Sequence, residues 1–262
     1  MDFIHHISPL YALSGLLVGL LVGFTGVGGG SLMTPLLVLV FHIHPATAVG
    51  TDLLYAGVTK SAGTAVHGLR RTIDWGIVGR LAAGSVPASA VTLLTMAHFH
   101  AKADGPHGVI TTVLGVALIL TAISILLRRL ILKYFAKAVG DLAPRRRTLF
   151  TILLGLVLGV LVSVSSVGAG AIGVTVLLVL YPKMPAARLV GSDIAHAVPL
   201  TLLAGFGHWM MGTVDLSLLA SLVCGSIPGI IVGSLIASRT PDGVLRPLLA
   251  STLAIVGGRM FF

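Results

Sequence analysis

Cysteine is nearly absent from this chain. Cys224 alone, set in an apolar run, permits no internal disulfide, no cysteine-built metal site and no thiol relay. Charge is scarce too. Only 10% of the 262 residues are charged and 56% are hydrophobic, with a mean hydropathy of +1.05; soluble domains carry about 25% charged residues. That shortage excludes an ordinary soluble globular protein. The N-terminus, Met1-Asp2-Phe3-Ile4-His5-His6, lacks the basic region of a cleaved signal peptide, so the first apolar segment is expected to be retained. No nucleophile–base arrangement stands out, and Gly28-Gly29-Gly30-Ser31 lacks the lysine of a phosphate-gripping loop. Neither ATP hydrolysis nor any cofactor is expected.

What is present is apolar length. Residues 109–127 and 148–161 are almost free of charge, the mark of spanning helices, and the class is an all-α polytopic membrane protein. The net charge of +9 would suggest nucleic acid in a soluble protein, but here the basic residues gather in short connections. Arg128, Arg129, Lys133, Lys137, Arg145, Arg146 and Arg147 lie between the two halves, a pattern of cytoplasmic loops in contact with anionic lipid. The partners expected are membrane lipid and a small anion, with no nucleic acid; a second copy of the chain is compatible with the sequence.

The chain is internally repeated. Residues 15–95 align onto 155–236: Gly15, Gly19, Gly28 and Gly30 fall on Gly155, Gly159, Gly168 and Gly170, and Pro45 falls on Pro185. After one inserted residue, Gly50-Thr51-Asp52 falls on Gly191-Ser192-Asp193. The same register carries His67 onto His208, Thr72-Ile73-Asp74 onto Thr213-Val214-Asp215, and Gly84-Ser85-Val86-Pro87 onto Gly225-Ser226-Ile227-Pro228. Three segments follow: a first transmembrane repeat over 1–127, a basic cytoplasmic linker over 128–147 and a second transmembrane repeat over 148–262.

Each repeat predicts the same series. A helix of about 15 residues (10–24; 149–163) runs into a glycine break, a short apolar piece follows (31–41; 171–181), and full helices come next (45–66, 75–96 and 108–127; 185–207, 216–237 and 244–261). Pro45 and Pro185 suit a first helical turn, where the missing N–H costs nothing. The short pieces, as re-entrant hairpins or incomplete spans, contribute an even number of crossings, so each repeat crosses an odd number of times and the two repeats are inverted. Inversion places Arg70-Arg71, the central linker, Lys183, Arg188 and Arg239 on one face, as the excess of positive charge on cytoplasmic loops prefers. Arg259, near an outside C-terminus, fits less well.

The breaks are the candidate site. Backbone that leaves the helix at membrane depth is tolerated only where protein buries it or water lines it, and paired breaks at matching positions point to a transporter's binding site. Half-helices beginning at Ser31 and Ala171 offer free N–H groups and a positive dipole end to an anion. Thr25, Ser31 and Thr34 in one repeat, and Ser163, Ser165 and Ser166 in the other, add hydroxyl donors. Close packing of small residues explains Gly15, Gly19, Gly155 and Gly159. It explains Gly28-Gly29-Gly30 poorly, because consecutive glycines weaken a helix interior. The anion-binding candidates are therefore Thr25, Gly28, Gly29, Gly30 and Ser31, with Ser165, Ser166, Gly168 and Gly170.

The glycine break in each half, Gly50-Thr51-Asp52 with Gly191-Ser192-Asp193, the spacing of His67 to Asp74-Trp75, and Gly-Ser-x-Pro at 84–87 and 225–228 together resemble the TauE/SafE family of sulfite and organosulfonate exporters. The resemblance spans nearly the whole chain. It implies a secondary transporter of two inverted halves in a bacterial inner membrane, moving sulfite, a sulfonate such as taurine or sulfoacetate, or another small anion.

Asp52 and Asp193 each stand about seven residues into a helix, where an ionised carboxylate is costly. They either couple a proton to anion movement or brace the broken backbone without titrating. Lys60, two turns beyond Asp52, would neutralise substrate charge, pair with Asp52 or snorkel to the inner surface; Thr201 holds its place in the second repeat. His196, opposite Tyr55, would shuttle a proton or serve as a structural donor. His67 and His208 with Asp74 and Asp215 read as helix-end anchors beside Trp75 and Trp209. The loop of His98, His100, Lys102, Asp104 and His107 matches no closed metal site. An uncoupled anion channel and, behind it, a membrane-embedded enzyme on a sulfur compound are the rival functions.

Overall fold

A computed structural model describes residues 8–25, 30–98, 109–140 and 142–236. They form helices α1 (Pro9–Thr25), α2 (Gly30–Leu39), α3 (Pro45–Leu69), α4 (Trp75–His98), α5 (Val109–Leu126), α6 (Arg128–Gly140), α7 (Pro144–Ser165), α8 (Ala171–Leu180), α9 (Ala186–Met210) and α10 (Leu216–Ile236). No strand occurs among the described residues. The last predicted helix, over 244–261, lies outside them, as do Arg239 and Arg259. By length and apolar composition, 4 helices suit a membrane crossing: α4, α7, α9 and most of α10.

The polarity of the fold is that of a protein in lipid. Leu94, Val91, Leu120, Ile123, Leu153, Leu156 and Phe206 face outward, whereas Asp52, Lys60, Asp193, His196 and His208 are buried. Trp75 and Trp209 are exposed near helix ends, where indole rings anchor at the membrane interface.

Two predicted segments come out differently. The second repeat's first helix is 22 residues long, because Pro144 starts it and its basic first turn is held in place. There Thr151 Oγ1 lies 2.9 Å from the Tyr181 hydroxyl and the Arg147 guanidinium sits 5.6 Å from that ring. The basic linker is also mostly helical: in α6, Leu130, Ile131, Tyr134 and Phe135 fall on one stripe and Lys133 lies off it.

The turns repeat faithfully. Asp74 Oδ1 accepts the N–H of Gly76 and Ile77 at 3.0 and 3.1 Å, capping α4, and Asp215 Oδ1 accepts the N–H of Leu218 at 2.9 Å, capping α10. Arg71 and Gly212 take the left-handed conformation just past α3 and α9, with φ of 55° and 75°. The His67 and His208 rings reach Thr72 and Thr213 at 2.9 and 3.0 Å.

Packing exchanges partners between the halves. A methyl at Gly15 would overlap the backbone of Leu222, and one at Gly155 the backbone of Leu81, so α1 lies against α10 and α7 against α4 at backbone contact. The loop bonds are exchanged likewise: the Asp74 N–H donates to Ser192 Oγ at 2.8 Å, and the Asp215 N–H to Thr51 Oγ1 at 3.0 Å. Reciprocal contacts of this kind are what a two-fold relation between units produces. The contact registers give directions. Gly15, Gly19 and Gly23 meet Leu222, Ser226 and Ile230, so α1 and α10 are parallel; Leu81 and Ser85 meet Gly155 and Gly159, so α4 and α7 are parallel. Thr59 and Gly63 of α3 meet Ser226 and Ile230, while Gly57 and Gly50 meet Leu202 and Thr213. So α3 runs with α10 and against α9.

Candidate functional site

Four buried groups gather where α3 and α9 cross. Asp52 is 0% exposed, Asp193 1%, Lys60 2% and His196 0%. Asp52 Oδ2 accepts from Thr34 Oγ1 at 2.5 Å and from Ser166 Oγ at 2.9 Å. Thr34 belongs to α2 of the same half; Ser166 caps α7 of the other half, in the left-handed conformation at φ 58°. One carboxylate thus ties a short helix of the first half to the break of the second. Its Oδ1 has no hydrogen-bond partner among the described residues.

Asp193 is placed alike and held differently. Neither of its carboxylate oxygens has a partner among the described residues. Val174 stands at the repeat position of Thr34, and Gly26 at that of Ser166, so both hydroxyl donors are missing from this half. Room for the carboxylate comes from Gly173, where a methyl group would collide with Asp193 Oδ1. Lys60 lies within electrostatic reach of both carboxylates and of His196. Isolated charges at this depth cost about 2.5–3.5 kcal/mol each on insertion scales. Two carboxylates sharing one ammonium reduce that cost without cancelling it.

His196 Nε2 lies 2.8 Å from Ser85 Oγ, and its Nδ1 is buried without a partner. In the other half, Tyr55 reaches the carbonyl of Gly15 at 3.5 Å and Thr59 meets Ser226 at 2.6 Å, Ser226 being the repeat equivalent of Ser85.

The second break is described in full. Ser163 Oγ donates to the Gly159 carbonyl, and Ser165 Oγ to that of Leu161 while accepting from the Val167 N–H. His208 Nε2 donates to the Ser163 carbonyl at 2.9 Å. Gly168 and Gly170 have φ of 119° and 111°, a region where side chains are strained. Among the described residues the N–H groups of Gly168, Ala169 and Gly170, just ahead of α8, have no partner. Of the first break, Thr25 ends α1 and Gly30 opens α2. Gly28, Gly29 and the side chains of Thr25 and Ser31 lie outside the described residues. His98 closes α4, and His100, Lys102, Asp104 and His107 lie outside as well.

The structure therefore brings Asp52, Asp193, Lys60, His196 and Ser166 into one interior. It turns the hydroxyl of Ser165 back onto its own helix and engages that of Ser163 with the Gly159 carbonyl and with Ser89 of α4, 2.7 Å away. Sequence reasoning assigned Thr34 and Ser166 to an anion; their donors point at Asp52. Tyr55 and Ser85 were not singled out, although the Tyr55/His196 mismatch inside a well-matched repeat was a usable signal.

Comparison with known proteins decides the family. The family described as sulfite exporter TauE/SafE matches residues 11–260. The chain belongs to the TauE/SafE family. It is 39% identical over 246 residues to the probable membrane transporter protein YjnA of Bacillus subtilis, covering 94% of this chain and 96% of that one. It is 29% identical over 257 residues to YdhB of the same organism, also a probable membrane transporter protein, across 94% and 97% of the two chains. The probable membrane transporter protein MJ0441 of Methanocaldococcus jannaschii is 24% identical over 267 residues. No solved structure matches the chain. As a TauE/SafE protein with apolar helices turned outward, it is an integral membrane transporter, and the expectation from the repeat motifs holds at that level.

Proposed function

We propose that the chain is a secondary transporter of a small sulfur-containing or organic anion, of the sulfite and organosulfonate class, working by alternating access of two inverted halves. The observation that carries this is the buried cluster of Asp52, Lys60 and Asp193 between helices contributed by both halves. Three ionisable groups at that depth are costly, and such groups mark substrate, ion and proton paths through membrane proteins. Inversion is supported by the helix directions: α1 runs with α3 and α10, and α7 with α4, so the equivalent helices α3 and α9 are opposed. With that orientation, the ends of α3 and α10 carrying Arg70, the basic linker, Lys183 and Arg188 share one face, which we assign to the cytoplasm of a bacterial inner membrane.

In this reading the anion sits against the free N–H groups at 168–170, with the Lys60 ammonium supplying the compensating charge. Carboxylates beside an anion repel it unless one is protonated, so proton and anion favour each other's binding and cross together. The rocking halves would slide along the glycine seams between α1 and α10 and between α4 and α7.

Flux of labelled sulfite, sulfoacetate and taurine in proteoliposomes, with and without a pH gradient, tests the proposal. Saturable flux that responds to the gradient is the expected result. Flux that stays linear with concentration and ignores pH would instead select an uncoupled anion channel, and no flux of any of the three would remove this substrate class.

A further inference from the structure

Two carboxylates occupy equivalent places in the repeat, but their surroundings are not equivalent. Asp52 is held by two hydroxyl donors from different halves, Thr34 and Ser166. Asp193 is 1% exposed, and neither of its oxygens has a partner among the described residues. A buried acceptor without a donor is expensive, and the molecule keeps one here twice over on a single side chain. The charged and titratable groups facing it are few. Helix α3 presents Lys60 and, beyond it, Asp52; α9 itself presents His196, one turn on, whose Nδ1 is also unpartnered. Arg188, earlier on α9, is turned to Asp74 at 3.9 Å. Helix α8 offers Gly173 and α7 offers Leu158 at its side, neither of them polar, and α4 offers Ser85, whose hydroxyl is engaged by His196.

We propose that Asp193 alone carries the coupled proton, and that Asp52 is a fixed anion bracing the second break, ionised throughout the cycle. The inference rests on the transport reading above and sharpens it. Two hydroxyl hydrogen bonds to a carboxylate favour its charged form, because each stabilises the ion more than the acid. One that receives none accepts a proton at little structural cost, since no bond is broken when the oxygen becomes O–H.

The proton enters from the medium onto one carboxylate oxygen and leaves from it on the other side, so nothing else is consumed. While Asp193 is ionised, Lys60 is shared between two negative groups. Protonation of Asp193 leaves Lys60 facing Asp52 alone and frees charge for the anion. Proton and anion thereby move in the same direction. The duplicated carboxylate has split into a brace and a carrier.

Two readouts test this on the intact protein. Infrared difference spectra of wild type, taken above about pH 5 so that exposed carboxylates stay ionised, should show one carboxylic-acid band, lost in Asp193→Asn and kept in Asp52→Asn. In proteoliposomes holding a pH dye, a gradient of sulfoacetate should move protons in wild type. Asp193→Asn should lose the proton signal, and whatever sulfoacetate flux it keeps should no longer respond to an imposed pH gradient. Gly173→Ala, which crowds the carboxylate without removing it, should move the pH at half-maximal flux. A band that disappears in Asp52→Asn and survives in Asp193→Asn would overturn the assignment, as would proton movement that persists in Asp193→Asn. Absence of any titrating band in wild type would overturn it as well. Wild type that moves no sulfoacetate would overturn the substrate class alone, because the infrared spectra still decide which carboxyl titrates.

Discussion

The two halves share a skeleton and differ in what they hang on it. Backbone features match position for position: Gly15 with Gly155, the capping Asp74 with Asp215, His67 reaching Thr72 as His208 reaches Thr213. The interior side chains diverge: Thr34 against Val174, Tyr55 against His196, Lys60 against Thr201, Gly26 against Ser166. Where the halves pack on each other, both must stay alike, since each seam serves as the other's counterpart. Where they face the interior they are free to differ, and in the proposed mechanism that divergence lets one half hold charge while the other exchanges it. Symmetric positions should therefore respond alike to substitution and divergent ones differently.

The largest effect is expected at a symmetric pair. Gly15→Leu and Gly155→Leu would each drive a side chain into rigid backbone across a seam, at Leu222 and Leu81. Overpacking against backbone costs about 3 kcal/mol or more, a large part of a marginal stability. Both variants should lose folded protein, measured as monodisperse material after detergent extraction. Survival of one and not the other would break the equivalence of the two seams.

Lys60 and Thr201 form the sharpest divergent pair. Lys60→Met strips two buried carboxylates of their shared cation, and breaking a buried pair by removing one partner costs about 3–5 kcal/mol. Anion flux in proteoliposomes should fall by about 100-fold or more. Thr201, whose hydroxyl bonds only the Ala197 and Val198 carbonyls of its own helix among the described residues, should tolerate valine with little change. Equal losses at both positions would mean that Lys60 acts through packing.

Much of this was legible in the sequence, and the reasons it stopped are physical. The repeat and its breaks could be read because glycine, proline and capping aspartate mark backbone geometry, which both halves must keep. The exchange of partners could not be read, since the register gives equivalence and not adjacency: nothing in Gly15 names Leu222. The bond from Ser166 to Asp52 joins residues 114 apart through a left-handed turn, and no local pattern announces it. The mismatch of Thr34 with Val174 was readable, but its meaning needed the carboxylate to be seen. Helix α6 was hidden by its basic residues, which mark topology and conceal the apolar stripe between them.

A smaller effect separates the two carboxylates directly. Thr34→Val removes one of the two donors to Asp52, and a buried acceptor deprived of its donor costs about 1–3 kcal/mol. The Tm in detergent should fall by several degrees. The reciprocal change, Val174→Thr, sets a hydroxyl where Asp193 has none. It should leave the Tm nearly unchanged and shift half-maximal flux toward lower pH, because a donor to the ionised carboxylate makes its protonation harder. Identical responses to the two substitutions would mean that the donors do not distinguish the carboxylates.

The smallest effect is expected where divergence lies on the surface. Arg188 pairs with Asp74 at 3.9 Å, the two side chains being 49% and 26% exposed, and the repeat puts no arginine beside Asp215. An exposed pair of this length is screened by solvent and contributes about 0–1 kcal/mol. Asp74 would keep its structural task without it, since Oδ1 accepts the N–H groups of Gly76 and Ile77 whether or not Oδ2 meets a cation. Arg188→Ala should therefore shift the Tm by no more than a degree or two and leave anion flux and its pH profile where they were. Asp74→Ala, which removes the cap of α4, should cost more, and so should Asp215→Ala at the start of α10 by a similar amount. Two caps of equal worth beside one dispensable ion pair would place the divergence that matters in the buried interior, between Asp52 and Asp193.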